Sequence, residues 1–276
     1  MADAYDAQSS SWPDATGSLS GTVVSVAPNG THTTDDASHL PVTPEEVANA
    51  ATDCERVGAA VVDLCPRRDT ELADVVSAVR ARTNMLVRVT AHARSEPLRE
   101  LVDVRPDILS CPLDAPTEFA SELRARALAN GITVHYEARA LEELTALHEP
   151  HIRKTVHPES VHVVLVFDTR GMSSDVQTFT AAVTQLPTGA YFTATGLEEA
   201  SLPVMLTTLA AGGNLRVGMA DTLRYSEGVE VRDNTQLVAR ATGLAKIAQR
   251  PPLPKARAAE ILAVGDGNAQ RGDFEL

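Results

Sequence analysis

The alternation of short β-branched runs with longer segments of helical period constrains this chain more than any other feature. From Thr22 onward the runs are Thr22–Ala27, Ala59–Cys65, Met85–Ala91, Asp107–Cys111, Ile132–Ala138, Val161–Phe167, Ala190–Thr195 and Asn214–Gly218. Ala59-Ala60-Val61-Val62 and Val163-Val164-Leu165-Val166 are continuously apolar, as expected of parallel strands whose outer face is covered by helices. Thr43-Pro44-Glu45-Glu46 opens one intervening helix with a capping hydroxyl, a proline at the first helical position and carboxylates in the first turn. Ala115–Asn130, Ser173–Gln185 and Leu197–Ala211 repeat apolar residues at spacings of three and four, and Gly131 stops the first of them.

Strand followed by helix, eight times over, leaves two architectures: a closed (β/α)8 TIM barrel or an open doubly wound sheet. The strand count and the 276-residue length, near the roughly 250 residues typical of such a barrel, favour the barrel. No Gly-x-Gly-x-x-Gly turn follows the first run, which argues against a dinucleotide-binding sheet. Two more helices, Asn234–Ala248 and Lys255–Ala263, follow the eighth run and are expected to close the barrel floor or to mediate subunit contacts. The reading is one domain over residues 21–264, with a disordered leader over 1–20 and a flexible Gly-rich tail over 265–276.

Charge narrows the partners. The formal net charge of −13 repels nucleic acid and anionic membrane alike, and no apolar run reaches the roughly 20 residues a bilayer demands. Three cysteines, Cys54, Cys65 and Cys111, read as reduced thiols rather than a disulfide framework. The acidic, Ser-rich segment Met1 to Ser20 has no basic or apolar region of a secretory signal, so a cytoplasmic location is expected.

In a barrel, chemistry gathers where the strands end, because the following loops converge on one rim. The polar residues there are Asn29 and His32 after run one; Asp63, Cys65, Arg67 and Arg68 at run two; Thr90, His92 and Arg94 at run three; Ser110 and Cys111 at run four. Glu137 and Arg139 close run five, Asp168 and Arg170 run six, Thr195 run seven, and Arg216 with Asp221 flank the end of run eight. Asp63-x-Cys65 would send an oxygen and a sulfur into the barrel together, since alternate strand residues share a face. With His32 or His92 these donors would suit zinc, whereas a buried Cys65 acting as a small hydrophobe needs no metal.

Longer stretches carry a family likeness. Val26-Ala27-Pro28-Asn29-Gly30, Leu40-Pro41-Val42-Thr43-Pro44-Glu45-Glu46 and Gly58-Ala59-Ala60-Val61-Val62-Asp63-Leu64-Cys65-Pro66-Arg67 resemble the opening of the β-keto acid cleavage enzymes of the 3-keto-5-aminohexanoate type. Gly189-Ala190 through Thr195-Gly196, Gly212-Gly213-Asn214-Leu215-Arg216-Val217-Gly218 and Asn234-Thr235-Gln236-Leu237-Val238-Ala239-Arg240 continue the likeness, which runs from about Gly21 to Val264. The resemblance implies a zinc-dependent barrel, homo-oligomeric, that takes a small β-keto acid and acetyl-CoA to acetoacetate and a new CoA thioester. It further implies Asp221 as the base assisted by Arg216, and Asn29, Arg67, Thr90, Ser110 and Glu137 around the substrate.

The chain departs from that pattern at the metal. Asp63 and Cys65 stand where the pattern has His-x-His, Ala220 where it has a ligating glutamate, and His32 where a glutamate follows strand one. Thr90-Ala91-His92-Ala93 replaces Ser-Thr-Gly-Gly, and Thr195-Gly196-Leu197 replaces Gly-Ile-Gly. Two outcomes stay open. Asp63, Cys65, His32 and His92 rebuild a metal site, or zinc is gone and Arg216, Arg67 or a protonated histidine polarises the carbonyl. The corresponding functions are a diverged acyl-exchanging C–C cleavage enzyme, a barrel that binds a small acid or CoA ester without turnover, and a metal-dependent hydrolase or aldolase.

Overall fold

The computed structural model describes residues 21–91, 98–149, 161–169 and 171–264. Eight parallel strands close into a barrel in sequence order. They are β1 Val24–Val26, β2 Val61–Leu64, β3 Leu86–Thr90, β4 Ile108–Pro112, β5 Thr133–Ala138, β6 His162–Phe167, β7 Tyr191–Gly196 and β8 Asn214–Val217. Closure is made by β1 pairing with β8, Ser25 lying opposite Arg216. The expected leader, the tail, His92, Arg94 and Arg170 lie outside the described residues.

Helices cover the outside as the periodicity predicts. These are α1 Pro44–Arg56, α2 Leu72–Arg82, α3 Leu98–Asp103, α4 Thr117–Ala129, α5 Val176–Thr184 and α6 Ser201–Ala210. Thr43 caps α1 by a full capping box, its hydroxyl taking the Glu46 N–H while the Glu46 carboxylate takes the Thr43 N–H. That reciprocal pair satisfies two donors that a helix start leaves free. Asp175 caps α5 by accepting from Thr178 N–H at 2.9 Å. The segment predicted as one helix from Leu197 opens with a 3-10 turn, Glu198–Ala200, before α6 begins.

Two further helices end the described chain: α7 Asn234–Ile247 and α8 Lys255–Ile261. The structure resolves what α8 does. Ala258, Ile261 and Leu262 pack with Val23, Val61, Leu86 and Ile108 into a separate apolar cluster that plugs the barrel floor. Hydrogen bonds fasten the plug: Thr133 Oγ1 donates to Ala263 O at 3.0 Å, and His135 Nε2 meets Leu262 O at the same distance. Helix α7 instead packs on the outside, against α1, β1 and β8. A short hairpin that the sequence reading did not anticipate, β9 Arg224–Ser226 with β10 Val229–Glu230, follows β8.

Strand alternation divides the barrel wall into two faces. Val24, Val26, Val62, Val87, Val89, Leu109, Val163 and Leu165 face the helices and form the main apolar core. The inner face is unusually polar, because barrel interiors are ordinarily filled with Val, Ile and Leu. Register sets Thr90 beside Ser110, Ser110 beside His135, and Asp63 beside Arg88 on that face. At the top, Gly218 is required as glycine: a Cβ there would run into the carbonyl of Ala27. That close approach lets the chain after β8 fold back over β1, and Ala220 N–H donates to Ala27 O at 3.1 Å.

Candidate active site

A chain of buried charges crosses the upper barrel. Arg88 Nη2 donates to Asp63 Oδ2 at 2.7 Å, Thr90 Oγ1 donates to Asp63 Oδ1 at 3.0 Å, and Arg216 Nη1 stands 3.4 Å from Asp63 Oδ2. Arg216 spans the barrel further: its Nη2 donates to Asp221 Oδ1 at 2.7 Å and its Nη1 lies 3.4 Å from Glu137 Oε2. Arg139 completes the line from the rim, its Nε donating to Glu137 Oε1 at 3.0 Å. Arg88 is fully buried, and Asp63, Glu137, Arg216 and Asp221 are nearly so, while the Arg139 side chain is half exposed.

The three carboxylates are thus met by two interior guanidiniums and one at the surface. Buried charges persist only when paired and hydrogen-bonded in this way. Burial opposes ionisation of Asp63, but Arg88 and Arg216, with hydrogen bonds from Arg88 and Thr90, outweigh it and hold its carboxyl below the usual range. Burial likewise opposes the charge on Arg216, and Asp221, Asp63 and Glu137 together reverse that effect and keep it protonated. Beneath the network His135 and His162 stack at 4.3 Å between ring centroids. Burial, with a smaller push from Arg88, lowers the His135 pKa to about 3, and burial with His135 and Arg88 lowers that of His162 well below its usual value. Both rings are neutral at neutral pH.

The backbone around Asp221 is fixed from two sides. Its N–H donates to Gly218 O at 3.0 Å, and its carbonyl accepts from Glu198 N–H at 2.9 Å. Glu198 reaches that position with φ +49°, a left-handed conformation uncommon outside glycine. Asp221 and Arg216 therefore meet because β8, a glycine turn and a strained residue after β7 converge on one spot.

The residues expected to act together from sequence fall into three groups. Asp221, Arg216, Glu137, Asp63 and Thr90 join one network, and Ser110 lies beside Thr90, buried, its hydroxyl without a protein partner. Asn29 and Arg67 are engaged in the loops instead. Asn29 Nδ2 donates to Pro41 O at 2.8 Å, and Arg67 Nη1 donates to Gly30 O and His32 O at 2.9 and 2.7 Å. Arg67 also pairs with Asp69, so it clamps the loop after β1 to the loop after β2. With Leu64, Cys65, Thr70 and Val75 these two residues line a small cleft beside α2.

The third group is the expected metal set, whose described members lie apart. Strand β2 ends at Leu64, and Cys65, one residue past it, lines the loop cleft. His32 sits at the rim with its Nδ1 3.8 Å from Asp36. His92 is outside the described residues, and Ala220 offers no donor. Among the described residues, no three His, Cys, Asp or Glu side chains converge on a point that would hold a cation. Both Asp63 oxygens are already engaged by cations and a hydroxyl, so this donor set does not fit zinc.

Arg88 is the network member that sequence reading missed. A charge inside the run Leu86-Val87-Arg88-Val89 was the available signal, since a strand buried on both faces holds a charge only opposite a partner. The same phase argument identifies His135, two residues before Glu137 on β5.

The model of the β-keto acid cleavage enzyme family matches residues 22–264. The 3-dehydrocarnitine:acetyl-CoA trimethylamine transferase of Rhizobium meliloti is 23% identical over 261 residues, covering 77% of this chain and 86% of the relative. The 3-keto-5-aminohexanoate cleavage enzyme of Acetoanaerobium sticklandii is 28% identical over 94 residues, 34% of each chain. Among solved structures, apo ObcA superposes with a TM-score of 0.64 at 15% identity, over 82% of this chain and 65% of ObcA. Type I 3-dehydroquinate dehydratase from Clostridium difficile superposes at 0.55 with 8% identity, over 83% and 92%. The last two likenesses are of fold; the family match, spanning every strand and both terminal helices, shows that the chain belongs to the β-keto acid cleavage enzyme family.

Proposed function

We propose that this chain catalyses acyl exchange between a small β-keto acid and acetyl-CoA, yielding acetoacetate and a new CoA thioester. Family membership supports the reaction class, as do the names of the two relatives, one an acetyl-CoA-dependent transferase and the other a β-keto acid cleavage enzyme. The observation that carries the reading is the buried Arg216–Asp221 pair at the C-terminal mouth of the barrel. In that role Asp221 is the base that takes a proton from the β-keto acid. Arg216 holds the carboxylate in place, and Glu137 and Asp63 hold Arg216 in turn. Thr90 and Ser110 supply hydroxyls on the same inner face. The zinc that the family pattern implies enters no step, because the donor set does not match it.

The test is direct. Purified full-length protein, incubated with acetyl-CoA and a panel of short β-keto acids, is assayed by mass spectrometry for acetoacetate and the matching CoA ester. Formation of both, lost in Asp221→Asn, supports the reading; no product from any acid with folded protein removes it. One observation favours a second reading, a barrel that binds a small acid or CoA ester without turnover. Asp63 is bound internally on both oxygens, and position 220 carries no carboxylate. Saturable binding of a β-keto acid without product would support it.

A further inference from the structure

We propose that the cation at the centre of this barrel is supplied by the chain itself. The Arg88 guanidinium, paired with Asp63, fills the electrostatic place of a metal, and the site takes no zinc. The inference stands on ion-pair geometry and goes beyond the acyl-exchange reading without depending on it.

Asp63 is the residue through which a metal would enter, and its two oxygens are in use. Oδ2 faces Arg88 at 2.7 Å and Arg216 at 3.4 Å, and Oδ1 accepts from Thr90 at 3.0 Å. A dication arriving at this carboxylate would meet two guanidiniums at contact range in a medium that screens them poorly. A surface arginine could swing aside into water, but Arg88 cannot. It projects from the middle of β3 into the barrel, fully buried, between the apolar neighbours Val87 and Val89. Moving it would strand one charge on Arg88 and another on Asp63 without solvent, the costly case for a buried pair.

Among the described residues the remaining donors are dispersed. Cys65 lies past the end of β2 in the loop cleft, His32 is at the rim beside Asp36, and Ala220 has nothing to offer. Arg88 also keeps donor capacity: Nε and Nη1 donate to no protein atom although both are buried.

The test measures zinc, without substrate, on full-length protein. Samples dialysed against micromolar zinc and then against buffer are analysed by inductively coupled plasma mass spectrometry and by calorimetric titration. The expected result is far below one zinc per chain, no saturable uptake, and a melting temperature unaffected by zinc or EDTA. A single zinc per chain, lost in Asp63→Asn or Cys65→Ser, would overturn the proposal. Arg88→Met provides a second arm: where it folds by circular dichroism, loss of the 2.7 Å partner of Asp63 raises zinc affinity by about tenfold, with Arg216 and Thr90 still on the carboxylate. A folded Arg88→Met variant with wild-type zinc affinity removes Arg88 as the cause. Because substrate is absent throughout, a zinc-free chain that fails in acyl exchange would overturn the functional reading and leave this one standing.

Discussion

Arg216 reaches from the eighth strand to Asp221, closing on Oδ1 at 2.7 Å while its Nη1 stands 3.4 Å from both Asp63 and Glu137. One guanidinium thereby ties three carboxylates from β2, β5 and the loop after β8. The candidate base is held by this junction, and the junction is buried.

Replacing Asp221 by Asn keeps the shape of the side chain and removes its capacity to take a proton. Acyl exchange is expected to fall by about 10²–10⁴-fold, the usual range for a lost general base. Circular dichroism should remain that of the wild type, because Arg216 keeps Asp63 and Glu137. Full activity in the variant, measured as acetoacetate formed, would remove Asp221 as the base.

Arg88 and Asp63 should behave as a coupled pair in stability. Arg88→Met or Asp63→Leu alone leaves the other charge buried without its main partner and is expected to cost about 3–5 kcal/mol in urea denaturation. The double variant Arg88→Met, Asp63→Leu should recover much of that loss, since removing both charges with apolar groups of similar volume is often neutral. Additive losses in the double variant would show that the two residues act independently.

Acid sensitivity should come from the histidines before it comes from the carboxylates. His135 has a folded-state pKa of about 3 because burial disfavours its charge, against about 6.5 in the unfolded chain. Below that unfolded value the unfolded state binds more protons. The stability His135 contributes by staying neutral is therefore complete above about pH 6.5 and declines as the pH falls, by about 1.4 kcal/mol per unit. The depressed carboxyl of Asp63 works in a lower window, its contribution fading as the pH drops below about 4. Unfolding free energies between pH 7.5 and 4.5 should fall more steeply for the wild type than for His135→Gln. Parallel slopes would mean that His135 is accessible to protons in the folded state.

Glu198 offers a test of strain at the site. Its φ of +49° and its N–H bond to the Asp221 carbonyl make it the hinge on which the loop after β8 rests. Glu198→Gly should be neutral or stabilising by up to about 1 kcal/mol. Glu198→Val should destabilise by about 1–2 kcal/mol and lower kcat more than it raises KM, through displacement of Asp221. Equal thermal stability of the two variants would remove the strain argument.

Much of the scaffold was legible in the residues. The eight apolar runs locate the eight strands to within a few positions, and Thr43, Pro44 and Glu46 announce α1 because capping is a matter of contacts three residues apart. Gly131 follows α4 with φ +68°, as a helix stop requires. The end of β2 was less legible. Alternation continued on paper through Cys65, whereas the pairing with β3 stops at Leu64, so the second donor of the Asp63-x-Cys65 pattern turns into a loop.

What the sequence by itself determined is the order of elements, their amphipathic faces and the presence of Arg216 on β8 and Asp221 on the rim after it. Those follow from forces acting within a few residues: strand alternation, helical period, caps and glycine turns. The tertiary structure decided who meets whom. Asp63 finds Arg88 25 residues away and Arg216 153 residues away, and α8 returns as the floor through His135, 127 residues from Leu262. Such pairings depend on the register between strands and on barrel closure, which set the distances between inward side chains. No local pattern encodes that register, and so an aspartate that resembles a metal ligand in the sequence becomes, once the barrel closes, the partner of a buried arginine.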